Sequence, residues 1–309
     1  MLSGFILVHA HRRQIAADNL NAAGFYVKRL ARIYPLHFAA LMFYLIMVIG
    51  VTLAHKSLPN PGRYSLEQFL LNLFLLHALQ LRNAGAWNYP SWSISAEWVA
   101  YLCFPLFARL LFKDAAKMGG AAILLLAALA LLLVYELSPL VTGAAFVDLR
   151  SNFGYLRVLP EFLFGMAMYR FLENRRTRLL VHRAVIPALA GLILLSAYLE
   201  LALVDIALLA VLIAAAAEAA RHPALLPALN SRPLLYLGKI SYALYMVHLP
   251  VSTLLFQGAA TLGGHVAAWF VLVGVVAAVA TAALAHHWIE VPGHRLVLTL
   301  LTRKQMQRA

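Results

Sequence analysis

Apolar runs near 20 residues long recur along the chain, separated by short segments that hold most of its charge. A helix needs ~20 apolar residues to cross a hydrocarbon core ~30 Å thick. The pattern therefore predicts an all-α, polytopic transmembrane helix bundle with about eight full spans plus a partial N-terminal helix at residues 1–10. The predicted spans are residues 33–54, 98–112, 121–137, 153–169, 185–203, 206–218, 234–255 and 266–288.

One further apolar stretch, residues 66–81, does not fit a full span. Glu67, Asn72 and His77 interrupt it. A crossing here would also invert every later segment and place the later cations on the opposite side of the membrane. We therefore predict a re-entrant or surface helix at this position.

Composition agrees with a membrane protein. The 309 residues are 63% hydrophobic and 12% charged, with a mean hydropathy of +0.80. A net charge of +13 would suggest nucleic acid as the partner of a soluble protein. Here the cations fall in a few short loops, so we expect the lipid bilayer as partner and no nucleic acid. The single cysteine, Cys103, excludes an intrachain disulfide framework.

The cations also predict which side of the membrane each loop occupies. Twenty of the 25 Lys and Arg residues fall on one side of the predicted topology, within residues 12–32, 109–117, 170–183, 221–239 and 295–308. Because Lys and Arg favour cytoplasmic loops, we predict that this side and the C-terminus are cytoplasmic. We expect residues 1–295 to form one membrane domain and residues 296–309 a basic cytoplasmic tail.

The densest cationic segment precedes the first full span. Lys28, Arg29 and Arg32 lie within five residues, and Arg29 and Arg32 share a helix face because they are three apart. Tyr34 precedes Pro35 and is therefore disfavoured in helical geometry, while Pro35 suits a helix's first turn, so we predict a short cationic segment that leads into the spanning helix. Taken alone, the two arginines are most simply topology determinants that contact anionic lipid.

Charged and polar residues within spans are costly and indicate function by default. We predict Ser93 as the N-cap of a helix that begins at Ile94, with Glu97 either a first-turn acid stabilised by the helix dipole or a functional carboxylate. His248 lies well inside a span, where histidine is more often a packing residue. His286, His287 and Glu290 are weaker candidates at a membrane interface. No zinc-binding or other metal site is indicated.

A second pair of charges lies inside the fourth predicted span. Arg157 and Glu161 are four apart and can pair along one helix face. An unpaired carboxylate at this depth would become neutral, because burial raises its pKa. The pair is as compatible with a structural ion pair as with a substrate-lining role.

Five segments, in order, resemble the integral-membrane acyltransferase 3 family of bacterial O-acyltransferases that modify sugars and polysaccharides. They are Ser3-Gly4-Phe5 with the cationic segment, residues 92–97 with Tyr101 and Pro105, residues 161–166, residues 237–248 and residues 287–292. The resemblance implies acyl transfer, usually acetyl, from cytoplasmic acyl-CoA to a hydroxyl of a sugar, polysaccharide or glycolipid at the bacterial inner membrane. It implies no bound cofactor, with acetyl-CoA or another acyl-CoA as co-substrate.

The resemblance also implies roles for individual residues. Arg29 and Arg32 match the family's cytoplasmic Arg-x-x-Arg motif, which implies binding of the acyl donor. Glu97 matches the acid of a Trp-Ser-Leu-Ser-x-Glu motif, here with Ile94 in place of Leu. Trp92, Ser93 and Arg157 are expected to line the substrate.

The family's first helix carries a basic residue and, after ten further residues, a histidine taken as essential to catalysis. We expect Met1 to fall within the second helix, because His9 and His11 come too late to match that histidine. A start codon assigned too late and a truncated copy both explain this. The remaining candidates for the catalytic base are Glu97, Glu161 and His248.

Two other classes of function fit the same sequence. A transporter or flippase of acyl groups or glycans would also carry charges within spans. A non-catalytic remnant of the family would retain the motifs without the reaction.

Overall fold

The computed structural model describes residues 1–58, 61–79, 87–150, 152–173, 182, 184–222, 227–261 and 268–306. These residues form α-helices joined by short turns and no β-strand, which confirms the all-α prediction. The helices are α1 (Leu2–Ala16), α2 (Ala22–Leu53), α3 (Leu66–Leu73), α4 (Ser91–Arg109), α5 (Gly120–Thr142), α6 (Gly154–Leu172), α7 (Val185–Tyr198), α8 (Ala202–Arg221), α9 (Arg232–Thr261), α10 (Ala268–Ala285) and α11 (Val291–Met306).

Six stretches of helix in the described residues are long and apolar enough to cross a membrane. They correspond to six of the eight predicted spans, on α2, α4, α5, α8, α9 and the continuous α10–α11, although residues 266 and 267 of the last span lie outside the described part. Of the other two, α7 has 14 residues and is only about 21 Å long. Helix α6 has 19 residues, but its apolar character is reduced by Arg157, Glu161 and Arg170. The chain is therefore a polytopic helical membrane protein.

The start of α2 differs from the prediction. The helix begins at Ala22 and continues through Pro35, so the cationic segment is part of the helix. Asn21 caps it, because its side chain accepts a hydrogen bond from the Gly24 amide. Pro35 cannot donate the helical hydrogen bond to the Ala31 carbonyl, and in the same turn the Tyr242 hydroxyl donates to the Ile33 carbonyl. Tertiary contact therefore overrides the local preference of the Tyr34–Pro35 bond.

The start of α4 was also predicted wrongly. The helix begins at Ser91, so Ser93 is inside its first turn and does not cap it. The Ser93 hydroxyl instead contacts the Pro90 carbonyl and the Tyr245 hydroxyl. Glu97 consequently lies in the second turn, where the helix dipole no longer explains it.

The chain divides into two compact units. Unit 1 comprises residues 1–20, 103–149 and 156–236, and unit 2 comprises residues 21–102, 150–155 and 237–309. In unit 1, α1 packs tightly on α6: a Cβ at Gly4 would lie 2.2 Å from the Phe162 carbonyl oxygen. In unit 2, α11 packs on α2 in a similar way, with the missing Cβ of Gly293 only 2.4 Å from Pro35 Cβ. Only glycine permits such close approach.

Cations predicted to share one side are gathered at one end of unit 1. Lys113 forms an ion pair with Asp18, beyond the end of α1. Arg170, at the end of α6, donates to the carbonyls of Ala115, Ala116 and Met118 at 3.0–3.1 Å. The positions of Lys113 and Arg170 agree with the charge pattern, while Arg175, Arg176, Arg178, Arg183 and Arg308 of the predicted cytoplasmic side lie outside the described residues. The cytoplasmic assignment itself stays a prediction.

The predicted re-entrant or surface segment contains α3 and a short 3₁₀ turn at His77–Leu79, while residues 80 and 81 lie outside the described part. His77 and His37 are both fully buried, with parallel rings whose centroids are 6.0 Å apart. His37 Nε2 donates to the Asn72 carbonyl, and His77 Nε2 donates to the Ser91 carbonyl. Burial and the neighbouring His37 lower the pKa of His77 to about 3. The turn is therefore tied to α2 and α4 through neutral imidazoles.

We expect unfolding to become easier in acid because of His77. A histidine whose folded pKa lies below its unfolded value stabilises the fold above pH ~6.5 and loses this contribution as pH falls. Between pH 6.5 and 5 the loss is about 2 kcal/mol. In His77→Gln, which keeps a donor for Ser91, thermal unfolding in detergent should depend less on pH. The exposed His9→Gln control should behave as wild type, and equal pH dependence in all three proteins would contradict the assignment.

Candidate functional site

A short ion pair in unit 2 joins α2 to the turn that precedes α11. Arg32 Nη1 donates to Glu290 Oε1 at 2.6 Å. Glu290 is only 2% exposed, whereas the Arg32 side chain is 45% exposed. The ion pair therefore has a buried anionic end and a cationic end that reaches the surface.

Glu290 is held from its own segment as well. His286–Glu290 forms a π-helical turn between α10 and α11, and His286 Nδ1 lies 2.9 Å from Glu290 Oε2. A π turn changes the direction of side chains relative to a regular helix and is frequent at functional sites. Both carboxylate oxygens of Glu290 consequently have a partner, as a buried carboxylate requires.

Arg29 lies one turn before Arg32 and contacts α4. Its guanidinium carbon is 5.8 Å from the centroid of Phe25 and 6.0 Å from that of Tyr101. The Tyr101 side chain hydrogen-bonds to both Arg29 and Glu97. Arg29 Nε is buried and has no hydrogen-bond partner among the described residues. Arg29 is therefore held against α4 with one of its donors unused among the described residues.

Tyr242 on α9 lies beside Arg32 and the two acids. Arg32 lies over its ring at 5.9 Å, and both Glu290 and Glu97 are close enough to interact with it electrostatically. These contacts, together with those of Tyr101 and His286, bring together residues that are far apart in sequence. We call this set the charged cluster: Arg29, Arg32, Glu97, Tyr101, Tyr242, His286 and Glu290.

His248 belongs to a second set of polar residues, which lies on α4 and α9. Its Nδ1 lies 2.8 Å from the Tyr245 carbonyl, so in this tautomer Nδ1 donates. The Tyr245 hydroxyl donates to the Pro90 carbonyl at 2.9 Å and lies 2.7 Å from Ser93 Oγ. Ser93 and Glu97 are one turn apart on α4, so they share a face. We call Ser93, Tyr245 and His248 the Ser93–Tyr245–His248 cluster.

Two other predicted site residues have clear packing contacts. Trp92 lies against Gly154, where a Cβ would be 3.1 Å from its ring. Arg157 and Glu161 belong to unit 1 and form an ion pair at 3.4 Å. Arg157 also donates to the Val147 carbonyl at 2.7 Å. This geometry favours the structural interpretation of the pair.

For three members of the charged cluster, the sequence gives little indication of a role. Glu290 was a weak interfacial candidate, and Tyr101 and Tyr242 appeared only as motif residues. The available signal was the spacing of His286 and Glu290, four apart at the end of an apolar helix. In the part of the chain that the structure describes, no three His, Cys, Asp or Glu side chains are placed to hold a metal ion.

Most of the chain matches one known protein family. Residues 1–287 match the Acyl_transf_3 model, described as an acyltransferase domain, so the chain belongs to this family. A curated relative is "Acyltransferase MdmB" of Streptomyces mycarofaciens, 34% identical over 115 residues. That match covers 37% of this chain and 27% of the relative. No solved structure matches the chain.

The two ends of the Arg32–Glu290 ion pair should respond differently to mutation. Arg32→Ala leaves a buried carboxylate with only His286, which should cost about 3 kcal/mol. Glu290→Gln leaves a half-exposed cation and should cost about 1 kcal/mol. Thermal unfolding in detergent of both variants and of the double variant measures the difference. Equal destabilisation by the two single changes would contradict the pairing.

Proposed function

We propose that this protein transfers an acyl group, acetyl in the simplest case, from cytoplasmic acyl-CoA to a hydroxyl of a sugar, polysaccharide or glycolipid at the bacterial inner membrane. Family membership supports acyl transfer. The donor, the acceptor and the membrane are our proposal, supported by the charged cluster and by the cation distribution.

The placement of Arg29 and Arg32 on one face of α2 is the observation that supports the donor most directly. Coenzyme A carries phosphate groups, and guanidinium donors suit phosphate oxygens. Arg29 has a buried Nε with no partner among the described residues, and Arg32 is nearly half exposed. Glu290 and Tyr101 orient these side chains, so little rotamer entropy remains to be lost on binding.

Glu97 is our candidate for the base. In the proposed reaction, the acceptor oxygen forms a bond to the acyl carbon and the thioester C–S bond breaks. The hydroxyl proton passes to the Glu97 carboxylate and then to the departing thiolate. Tyr101 connects Glu97 to Arg29, which supports a carboxylate held close to the donor. Such proton transfer typically contributes 10²–10⁴-fold to the rate.

We assign binding of the acceptor to the Ser93–Tyr245–His248 cluster. Ser93 and Tyr245 present hydroxyls, and His248 is exposed beside them. Hydroxyl and imidazole groups suit the many hydrogen-bonding positions of a sugar. Because Ser93 is one turn from Glu97, an acceptor bound here would have its reacting hydroxyl near the proposed base.

Donor binding provides the first test. Arg29→Ala combined with Arg32→Lys, which keeps a cation for Glu290, should weaken acetyl-CoA binding at least tenfold. Binding is measured by calorimetry on the purified protein in detergent. Lys28→Ala, an exposed cation on the same helix, serves as the matched control and should bind as wild type. Unaltered affinity in the double variant would refute the donor assignment.

The base is tested by separating binding from transfer. Glu97→Gln should retain acetyl-CoA binding and lose 10²-fold or more in transfer of labelled acetyl to membrane glycans. Glu67→Gln, an exposed acid on α3, is the control and should transfer normally. Full activity of Glu97→Gln would exclude Glu97 as the base.

The reaction itself is tested in cells. Mass spectrometry of surface glycans should show the loss of one acyl group in a deletion strain and its return on complementation. Glycans that are unaltered by deletion would favour a non-catalytic protein. Movement of substrate across reconstituted vesicles without an acylated product would favour a transporter.

A further inference from the structure

Unit 1 contains a cavity that the proposed reaction does not use. It lies between α1, α6 and α8, has a volume of about 530 Å³, and we call it the α1–α6–α8 cavity. This volume falls within the roughly 300–1,000 Å³ of small-molecule sites. The residues that matter for its chemistry are Phe5, Ile6, Arg12, Glu173 and Arg221.

The polar side of the cavity carries both signs of charge. Arg221 donates to the buried Glu218 at 3.1 Å, so its charge is already balanced. Arg12 is held by the Tyr169 hydroxyl and lies 3.2 Å from His9 Nδ1, and neither side chain is a carboxylate. Within the described residues, neither Arg12 nor Glu173 takes part in an ion pair. The cavity therefore offers one cation and one carboxylate to a ligand.

The remaining wall of the cavity is apolar and reaches the surface of the unit. Phe5 is buried against Tyr169, with ring centroids 5.3 Å apart. Ile6 on the same helix is 50% exposed, and Ala217 and Ala220 of α8 complete the wall. A ligand that suits this site has a charged head and an apolar tail that extends along α1.

We propose that the α1–α6–α8 cavity binds a zwitterionic amino-phospholipid, with the phosphate at Arg12, the ammonium at Glu173 and the first part of an acyl chain along Phe5 and Ile6. A guanidinium pairs well with phosphate oxygens, and a primary ammonium donates to a carboxylate. A purely anionic headgroup would satisfy Arg12 but would face Glu173 as a like charge. A headgroup without N–H donors would leave Glu173 without a hydrogen bond.

The test uses the whole purified protein. It is exchanged into mixed micelles with equal amounts of phosphatidylethanolamine, phosphatidylglycerol and phosphatidylcholine, and bound lipid is identified by native mass spectrometry. Wild type should retain phosphatidylethanolamine about tenfold over the other two lipids. Arg12→Gln should lose that lipid about tenfold, and Glu173→Gln should lose the preference for it over phosphatidylcholine. Excess inorganic phosphate should displace nothing.

Arg13→Gln is the matched control, because it removes the same charge from the next residue of α1, outside the cavity lining. Arg13→Gln should retain the lipid as wild type does. Arg12→Lys keeps the positive charge and should retain most of the lipid. The unfolding temperature of each variant identifies any that has lost its structure. Equal retention of the three lipids by wild type, or equal loss in Arg12→Gln and Arg13→Gln, would overturn the proposal. Displacement by inorganic phosphate would indicate a site for free phosphate and would overturn it too.

Discussion

A carboxylate buried in a helical membrane protein must be neutralised, and Glu290 is the group on which much of unit 2 depends. At 2% exposure it would cost several kcal/mol without partners. Arg32 and His286 each contact one of its oxygens. These two contacts connect α2 to the α10–α11 junction, and the packing of Gly293 on Pro35 follows along the same helix pair.

The same requirement explains why a proline lies inside α2. Pro35 interrupts the helical hydrogen bonds within one turn of Arg32, which donates to Glu290. Tyr242 supplies a hydroxyl to the Ile33 carbonyl and a ring beneath Arg32. The Tyr242 side chain thus provides a hydrogen bond to the Ile33 carbonyl and a cation–π contact to the Arg32 guanidinium, and together they fix the position of Arg32. The donor site that we propose uses this rigidity, because pre-organised guanidiniums lose less entropy on binding.

Much of the candidate site could be predicted, because its chemistry is carried by residue types that are rare inside spans. Spacing and motif order single out Arg29, Arg32 and Glu97, and the structure brings them into one cluster. The role of Glu290 could not be weighed from sequence, since its partner is 258 positions away along the chain. The predicted cap at Ser93 was wrong for a related reason: its hydroxyl contacts Tyr245, on a different helix.

The amino-acid sequence is enough to predict the class of fold, since apolar runs near 20 residues leave a helical bundle as the available solution in lipid. It also predicts which loops share a side of the membrane, because loop charge is a local property. Tertiary structure alone decided where α2 and α4 begin, and which acid each arginine and tyrosine faces. Local propensity is worth a fraction of a kcal/mol per residue, and the contacts that a buried charge requires are worth several. Where the two disagreed, at Pro35 and at Ser93, the contacts between helices prevailed.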